Sequence, residues 1–274
     1  MAVLKLTLKD GVSYAIEDTD GLPAEKTAVF LHGFTGSAKT WDEVDGYFQG
    51  IRRIKVDLLG HGRTDSPENE SRYSTEKQIA DLAEIFDLLK LKQVYLIGYS
   101  MGGRLALSFA MTHPGRVTAL VLESSSPGLQ TPDERQKRRE QDSRLSERII
   151  KEGIEPFVNY WESIPLFASQ LLLAESERNK IREERLNNNP LGLANSLIGM
   201  GTGSQPSWWD RLGEITYPSL LIAGGLDQKF VGINQKMNRH IPECRLVVAE
   251  KAGHAVHVEE PDFFGKIVSE FILK

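Results

Sequence analysis

One short motif determines both a backbone turn and the elements on either side of it. Residues 98–102 read Gly-Tyr-Ser-Met-Gly, which matches the pattern Gly-x-Ser-x-Gly. The apolar run 94–97 before it is typical of a buried strand, and residues 104–109 after it are typical of a helix. Glycines on both sides of Ser100 remove the Cβ clashes of a sharp strand-to-helix turn. The motif therefore predicts a serine hydroxyl above a sheet, at the positive end of a helix dipole.

Apolar runs alternate with helical segments along most of the chain, as in a parallel sheet buried on both faces. The predicted strands are 4–8, 12–16, 27–31, 51–58, 93–97, 117–122, 219–223 and 245–248. The predicted helices outside the middle of the chain are 41–48, 75–89 and 261–272. Asp10-Gly11 predicts a hairpin turn between the first two strands. From 127 to 206 the alternation stops and helical spacing prevails, which predicts a helical cap inserted into a core formed by 1–126 and 207–274.

A serine hydroxyl becomes a base or a nucleophile when an imidazole accepts its proton and a carboxylate orients that imidazole. His254 and Asp227 each follow a predicted strand, so both should lie with Ser100 at the carboxyl edge of the sheet. His257, three residues later, is equally consistent with a surface or packing role. Asp210 precedes its strand and would lie at the wrong edge. We therefore predict Ser100, Asp227 and His254 as the catalytic residues.

A glycine-rich stretch, His-Gly-Phe-Thr-Gly at 32–36, directly follows another predicted strand. Backbone N–H groups in such a turn, together with that of the residue after the serine, can bind a developing oxyanion. We predict the amides of Phe34 and Met101 for this role. His32 is predicted to be buried and to brace the loop, and His61 is given no catalytic role.

Arginines near the motif point to an anionic ligand. Arg104 lies one helical turn after Ser100, so its side chain leans back toward the helix N-terminus. Its helix is otherwise apolar, and a cation there is costly unless it meets an anion, so we expect Arg104 to contact the ligand. Arg138 shares a helix face with Arg135, and that face is as consistent with solvation as with binding. Arg185 lies at a helix end rich in asparagine.

Taken together, these elements resemble the α/β-hydrolase superfamily over the whole chain. The resemblance rests on His32-Gly33, Asp-Leu-Leu-Gly-His-Gly at 57–62, the turn at Ser100, Asp227 and Gly253-His254, in the superfamily's order. It implies the α/β-hydrolase fold, a mostly parallel central sheet flanked by helices, with a helical cap.

Further residues resemble the 2-succinyl-6-hydroxy-2,4-cyclohexadiene-1-carboxylate synthases, the menaquinone-pathway branch of that superfamily. They are Gly-Tyr-Ser-Met-Gly-Gly-Arg (98–104), Pro-Gly-Leu-Gln (127–130), Trp161 with Pro165 and Phe167, Arg-Leu-Asn-Asn-Asn (185–189), Gly-Thr-Gly-Ser-Gln-Pro (201–206) and Ala-Gly-His-Ala-Val-His (252–257). Ser126 departs from the resemblance, since some relatives carry histidine there, and we assign it no role.

The second resemblance implies a lyase that eliminates pyruvate from an enolpyruvyl-succinyl-hydroxycyclohexene-carboxylate, with Ser100 as the base. That substrate carries three carboxylates. The resemblance implies that arginine side chains bind them and that two aromatic residues line the pocket; these residues are Arg104, Arg138, Arg185, Tyr99 and Trp161.

Two other functions use the same residues. A serine hydrolase of a carboxylester or a carbon–carbon bond needs the triad but not the clustered arginines. A non-catalytic ligand-binding protein could keep the pocket on a hydrolase scaffold. Dehalogenase chemistry is disfavoured because its nucleophile is an aspartate, whereas the turn here holds Ser100.

Composition excludes several partners. The formal net charge of −5 gives no basic field for nucleic acid, and no apolar run is long enough to span a bilayer. The single cysteine, Cys244, fits a reducing compartment, and the N-terminus lacks the pattern of a signal peptide, so we expect a cytoplasmic protein. No residue spacing calls for a metal or another cofactor. The expected partner is a small polycarboxylate, and the sequence leaves the oligomeric state undetermined.

Overall fold

A computed structural model describes residues 2–19 and 24–274, and within them one eight-stranded sheet forms the centre of the molecule. The strands are β1 Ala2–Thr7, β2 Ser13–Asp18, β3 Lys26–Leu31, β4 Ile51–Val56, β5 Val94–Tyr99, β6 Val117–Glu123, β7 Ser219–Gly224 and β8 Cys244–Ala249. Their order across the sheet is β1-β2-β4-β3-β5-β6-β7-β8. β2 pairs antiparallel with β1 and β4, and all other neighbours pair parallel. The predicted mostly parallel sheet is confirmed.

The predicted hairpin joins β1 to β2. The Leu8 N–H donates to the Val12 carbonyl at 2.8 Å, and the Gly11 N–H donates to the Leu8 carbonyl at 3.0 Å. Gly11 has a φ of +90°, a conformation that glycine adopts without a Cβ penalty. The strands extend beyond the predicted bounds because their pairing continues to Ala2 and Asp18.

The sheet is buried on both faces because successive side chains of its strands point to opposite sides. Along β3, Val29 and Leu31 join one core cluster, and Ala28 and Phe30 join the other. The helices outside the cap are α1 Thr75–Leu88, α2 Met101–Thr112, α7 Gln228–Asn238, α8 Val256–Glu259 and α9 Pro261–Leu273. Residues of α1, α2 and α7 pack in the first cluster, and residues of α8 and α9 pack in the second.

The segment after β3 is a 3₁₀ helix, Ala38–Phe48, where the sequence predicts a helix over 41–48. It begins earlier because Ser37 caps it, its hydroxyl accepting the Lys39 N–H at 3.3 Å. Trp41, Val44 and Phe48 are buried in the cluster that α9 also enters.

Between β6 and β7 every residue is described, and this stretch contains helices but no strand. Its α-helices are α3 Pro132–Glu152, α4 Ile154–Ser163, α5 Glu175–Leu186 and α6 Pro190–Met200. They have a small core of their own, which includes Ile149, Phe157 and Leu193. We call these four helices the cap.

Across residues 2–19 and 24–274, no helix combines the length and the apolar character that crossing a bilayer requires.

Candidate active site

Ser100 lies on a strained turn between β5 and α2. Its φ is +49°, in the left-handed region that residues with a Cβ rarely adopt. The flanking glycines are required by close backbone approach: a Cβ at Gly98 would lie 2.5 Å from the Gly102 carbonyl oxygen, and one at Gly102 would overlap the carbonyl of Leu31. The turn therefore holds Ser100 at the carboxyl end of the sheet, at the N-terminus of α2.

The structure brings the three predicted catalytic side chains into one hydrogen-bonded row. Ser100 Oγ lies 3.0 Å from His254 Nε2, and His254 Nδ1 lies 2.7 Å from Asp227 Oδ2. Asp227 follows β7 and His254 follows β8, so both reach Ser100 from the carboxyl ends of neighbouring strands. Since a carboxylate accepts only, the proton on His254 lies on Nδ1, and Nε2 is free to accept the Ser100 proton.

Two contacts that the sequence analysis missed hold His254 in place. The Glu259 carboxylate accepts the Gly253 N–H at 2.7 Å and the Ala255 N–H at 3.4 Å, so it fixes the loop on both sides of the histidine. The ring of Phe230 lies edge-on to the imidazole, with centroids 4.6 Å apart. Glu259 follows Ala255 by four residues, which is a helical spacing and the one local signal for this contact.

His257 and Asp210, the competing candidates, occupy other environments. His257 Nδ1 lies 2.8 Å from Glu123 Oε2, with both side chains fully buried, and its Nε2 lies 2.9 Å from Thr40 Oγ1. Asp210 is exposed in the 3₁₀ helix Trp209–Glu214, which precedes β7.

His32 braces the glycine-rich loop after β3. Its Nε2 accepts the Leu58 N–H at 2.9 Å, and its Nδ1 lies 2.7 Å from the Gly33 carbonyl. Burial lowers the pKa of His32 to about 4, so the ring is neutral at pH 7. His61 is also buried, which together with His32 nearby lowers its pKa to about 3.

The predicted oxyanion donors, Phe34 and Met101, line the same cavity as Ser100. Across the described residues, neither backbone N–H donates to an acceptor of the protein. Met101 is the first residue of α2, where a helix leaves its N–H groups without an intrahelical partner.

The cavity at Ser100 has a volume of about 210 Å³ and lies between the sheet edge and the cap. Tyr99 and Trp161 line it, as the resemblance implies. Burial, with the charge of Glu123 second, raises the pKa of Tyr99 well above its usual value, so its hydroxyl stays protonated. The buried Trp161 Nε1 has no hydrogen-bond acceptor among the described residues. The Tyr99 and Trp161 side chains therefore each combine an apolar ring with one polar group at its edge, a hydroxyl in Tyr99 and an indole N–H in Trp161.

Arg104 and Arg138 line this cavity as well. Arg104 Nη1 donates to the Met200 carbonyl at 2.7 Å and to Gln205 Oε1. Arg138 Nε donates to Asp142 Oδ1 at 2.8 Å. Burial, with the charge of Arg138 second, lowers the pKa of Arg104 to about 10, so it remains a cation at pH 7. Asp142 pairs with Arg138, whereas Arg104 is bound only to neutral oxygens. The two guanidinium groups at the cavity therefore carry more positive charge than the Asp142 carboxylate offsets.

Arg185 lies in a neighbouring cavity rather than in the one at Ser100. It donates to Gln170 Oε1 at 3.0 Å, lies 3.4 Å from Glu162 Oε1 and stacks over the Phe167 ring at 4.8 Å. Phe167 lines both cavities. Of the five residues predicted to bind or enclose substrate, Arg185 is the one that the structure does not place beside Ser100.

Known proteins match this chain over nearly its whole length. The family model for the alpha/beta hydrolase fold matches residues 27–261. A Bacillus subtilis (strain 168) protein named "Putative 2-succinyl-6-hydroxy-2,4-cyclohexadiene-1-carboxylate synthase" is 57% identical over 272 residues, covering 99% of both chains. The 2-succinyl-6-hydroxy-2,4-cyclohexadiene-1-carboxylate synthase of Salmonella agona (strain SL483) is 31% identical, covering 88% of this chain and 91% of its own.

This chain belongs to that synthase family. This chain is also similar to the solved structure of MenH from S. aureus. The TM-score is 0.90 and the identity 36%, and the match covers 95% of this chain and 97% of the MenH chain. Membership also confirms the predicted α/β-hydrolase fold, because the family model covers both the turn at Ser100 and the loop of His254.

Several residues that line the cavity of this synthase family member lie outside the predicted set, and two of them bear on the resemblance and on the charge of the site. Ser126, which departs from the resemblance, lines the cavity, and so does Lys229 near the start of α7. Neither has a sequence signal of its own, because the position of Ser126 depends on the loop after β6 and that of Lys229 depends on where α7 lies after β7. Residues 2–19 and 24–274 contain no group of three or more His, Cys, Asp or Glu side chains that could hold a metal ion.

Proposed function

We propose that this chain eliminates pyruvate from an enolpyruvyl-succinyl-hydroxycyclohexene-carboxylate to form 2-succinyl-6-hydroxy-2,4-cyclohexadiene-1-carboxylate in menaquinone biosynthesis. Two relatives that carry the synthase name cover 99% and 88% of the chain. One structural observation carries the proposal: the cavity at Ser100 also presents the cations Arg104 and Arg138. A polycarboxylate is the small-molecule partner that such a cavity favours.

In the proposed reaction, Ser100 acts as a base and forms no acyl-enzyme. His254 Nε2 takes the hydroxyl proton, and Ser100 Oγ takes the ring proton alpha to the succinyl ketone. The 3.0 Å and 2.7 Å spacings along Ser100, His254 and Asp227 support this proton path. The electron pair of the broken C–H bond moves through the ring, which becomes a diene, and the C–O bond to the enolpyruvyl group breaks. The departing group takes up a proton and tautomerises to pyruvate.

Removal of that proton places negative charge on the ketone oxygen. We assign this oxygen to the amides of Phe34 and Met101, which line the cavity with Ser100 and whose N–H groups have no acceptor among the described residues. Donors that are fixed in advance stabilise a developing oxyanion without reorganisation during the reaction.

The cations hold the ring so that its acidic C–H faces Ser100. Arg104 is bound to two neutral oxygens, so its charge is available to a ligand carboxylate. Arg138 is held by Asp142 in a fixed orientation, and a guanidinium can pair with a second carboxylate through its remaining N–H groups. We also assign Arg185 to substrate on the family resemblance; from the neighbouring cavity it would act across Phe167 and Tyr99.

The cap supports elimination over hydrolysis. Leu197 and Met200 of α6 and Trp161 of α4 close one side of the cavity with apolar surface. Exclusion of water strengthens the charge interactions inside and removes the water that an ester hydrolase needs to hydrolyse its acyl-enzyme. The single cysteine supports placing this reaction in a reducing compartment, the cytoplasm.

Pyruvate release tests the proposal against the hydrolase function. The purified chain is given the enolpyruvyl substrate in one assay and a panel of simple neutral carboxylesters in another. We expect rapid pyruvate release and slow ester cleavage. Fast ester cleavage without pyruvate release would establish the hydrolase, and inertness in both assays would favour a binding protein.

A further inference from the structure

Lys229 is a third cation at the cavity, and nothing in the family resemblance assigns it a role. It is the second residue of α7, and its side chain is exposed while also lining the cavity at Ser100. A residue that is exposed and lines a cavity lies at the mouth. The ring of the next residue, Phe230, packs on the imidazole of His254, with ring centroids 4.6 Å apart. Lys229 therefore lies on the side of the cavity that holds the triad histidine.

The ammonium of Lys229 is free of carboxylates. No acidic side chain in the described ranges forms a salt bridge with it, and its Nζ lies 5.6 Å from the centroid of the Phe230 ring. Arg138 and Arg185 differ, since each is already paired with an acid of the protein, Asp142 and Glu162. An unpaired cation keeps its attraction for an incoming anion, and the partly enclosed mouth strengthens that attraction relative to open solvent.

The three cavity cations come from three different helices. Arg104 belongs to α2 and Arg138 to α3, whereas Lys229 comes from α7 beside His254. Cations on one side alone would fix one edge of a ring but leave it free to pivot. A further cation on a separate element, such as Lys229, restricts that freedom when the ligand carries carboxylates on separate arms.

We infer that Lys229 binds one outer carboxylate of the polycarboxylate substrate at the cavity mouth. The inference rests on the proposed function, because it takes the substrate to carry carboxylates on separate arms. The contact forms at an exposed site, so it affects substrate capture more than the chemical step, and salt weakens it.

The test uses three substitutions in the full chain. Lys229→Met removes the charge and keeps an apolar stem of similar length beside Phe230, and Lys229→Arg keeps the charge. Lys77→Met is the matched control, since Lys77 is an exposed lysine on α1 that lines none of the cavities described. We expect Lys229→Met to raise the KM for pyruvate release about fivefold, as an exposed ion pair of up to about 1 kcal/mol allows, with little change in kcat.

The charge-keeping variant and salt give the supporting readouts. Lys229→Arg should stay close to wild type, and the difference between wild type and Lys229→Met should shrink as the salt concentration rises. A Lys229→Met variant with the same KM as Lys77→Met at low salt would overturn the inference.

A binding measurement separates failure of this inference from failure of the proposed function. Calorimetry measures the affinity of Ser100→Ala for the enolpyruvyl substrate, with and without Lys229→Met. We expect weaker binding when Lys229→Met is added. Equal affinities would remove Lys229 from the site and leave the lyase proposal intact, whereas no binding to Ser100→Ala at all would count against the lyase proposal itself.

Discussion

At the scale of single residues, Arg104 shows how a buried charge is prepared for a ligand. Its guanidinium is bound to the neutral oxygens of Met200 and Gln205, which satisfy N–H groups without neutralising the charge. Burial lowers its pKa to about 10, which shows that the folded protein bears a cost for keeping it charged. A carboxylate in the cavity would offset that cost, so the site is built for an anion.

Replacing Arg104 should therefore weaken catalysis. We expect Arg104→Ala to lose about 1–3 kcal/mol of transition-state binding, roughly 5- to 150-fold in kcat/KM, because a substrate carboxylate is left without its partner. Arg148→Ala is the control, since Arg148 is a more exposed arginine that pairs with Glu152 outside the cavity. Steady-state assays of pyruvate release measure both variants. Equal kcat/KM values for the two would place Arg104 outside the substrate site.

His32 predicts a pH dependence of stability. Its pKa is about 4 in the folded protein against an ordinary value of 6.5, so between these values the unfolded chain binds a proton that the folded one does not. The stabilisation is fully present above pH 6.5 and is lost as the pH falls toward 4. We expect His32 to contribute about 1–2 kcal/mol to the loss of unfolding free energy between pH 6.5 and 5, with His61 acting in the same direction.

Urea unfolding of wild type, His32→Gln and His240→Gln across this range measures that contribution. The slope with pH should be shallower for His32→Gln, because glutamine can accept the Leu58 N–H without titrating. His240→Gln removes an exposed histidine and should keep the wild-type slope. An unchanged slope in His32→Gln would contradict the assignment.

At the scale of elements, the β5–α2 turn depends on backbone contacts that only glycine allows. Gly102 lies against the carbonyls of Leu31 and His32, so β3 and α2 approach closely below Ser100. These contacts connect the serine turn to the start of the glycine-rich loop. The two groups that act on substrate, the serine oxygen and the Phe34 amide, are thereby held by one packed unit.

Gly102→Ala should therefore force α2 away from the end of β3. A Cβ there would overlap backbone atoms, which cannot move aside cheaply, and we expect an unfolding free energy lower by several kcal/mol or a chain that does not fold. Gly232→Ala is the matched control, because a Cβ at that helical glycine meets nothing within 4 Å and alanine favours the helix by about 0.5–1 kcal/mol. Thermal and chemical unfolding compare the two. A Gly102→Ala chain as stable as wild type would show that the close approach is not required.

The same scale shows what the sequence could predict. Strands such as β5 and β7 are continuous apolar runs with turns at their ends, so their positions, and with them Ser100 and Asp227, follow from local pattern. Phe230 and Lys229 could not be found this way, because their roles depend on where α7 lies after β7, and Glu259 offers only its helical spacing from Ala255. The sequence predicts that Arg185 lies at the end of a helix. Whether its side chain reaches Ser100 depends on how α5 packs behind Phe167.

At the scale of the whole molecule, the active site lies where the cap meets the core. Asn188, in the connection between α5 and α6, ties the cap to the core: its Nδ2 donates to the Thr35 carbonyl at 2.8 Å, and its Oδ1 accepts the Gly62 N–H at 3.0 Å. Ser37 of the core adds a bond to Glu184 of α5 at 2.6 Å. The core supplies the triad and Arg104, and the cap supplies Arg138 and apolar cover. Neither part alone provides both the base and the full set of cations.

Whether Ser100 starts the elimination is measured by comparing pyruvate release by wild type and Ser100→Ala, using the enolpyruvyl substrate and equal amounts of folded protein. If Ser100 is the base that starts the elimination, Ser100→Ala should lose activity by roughly 10³-fold or more while unfolding at the wild-type temperature. Pyruvate release by Ser100→Ala at a rate close to that of wild type would show that Ser100 is not the base.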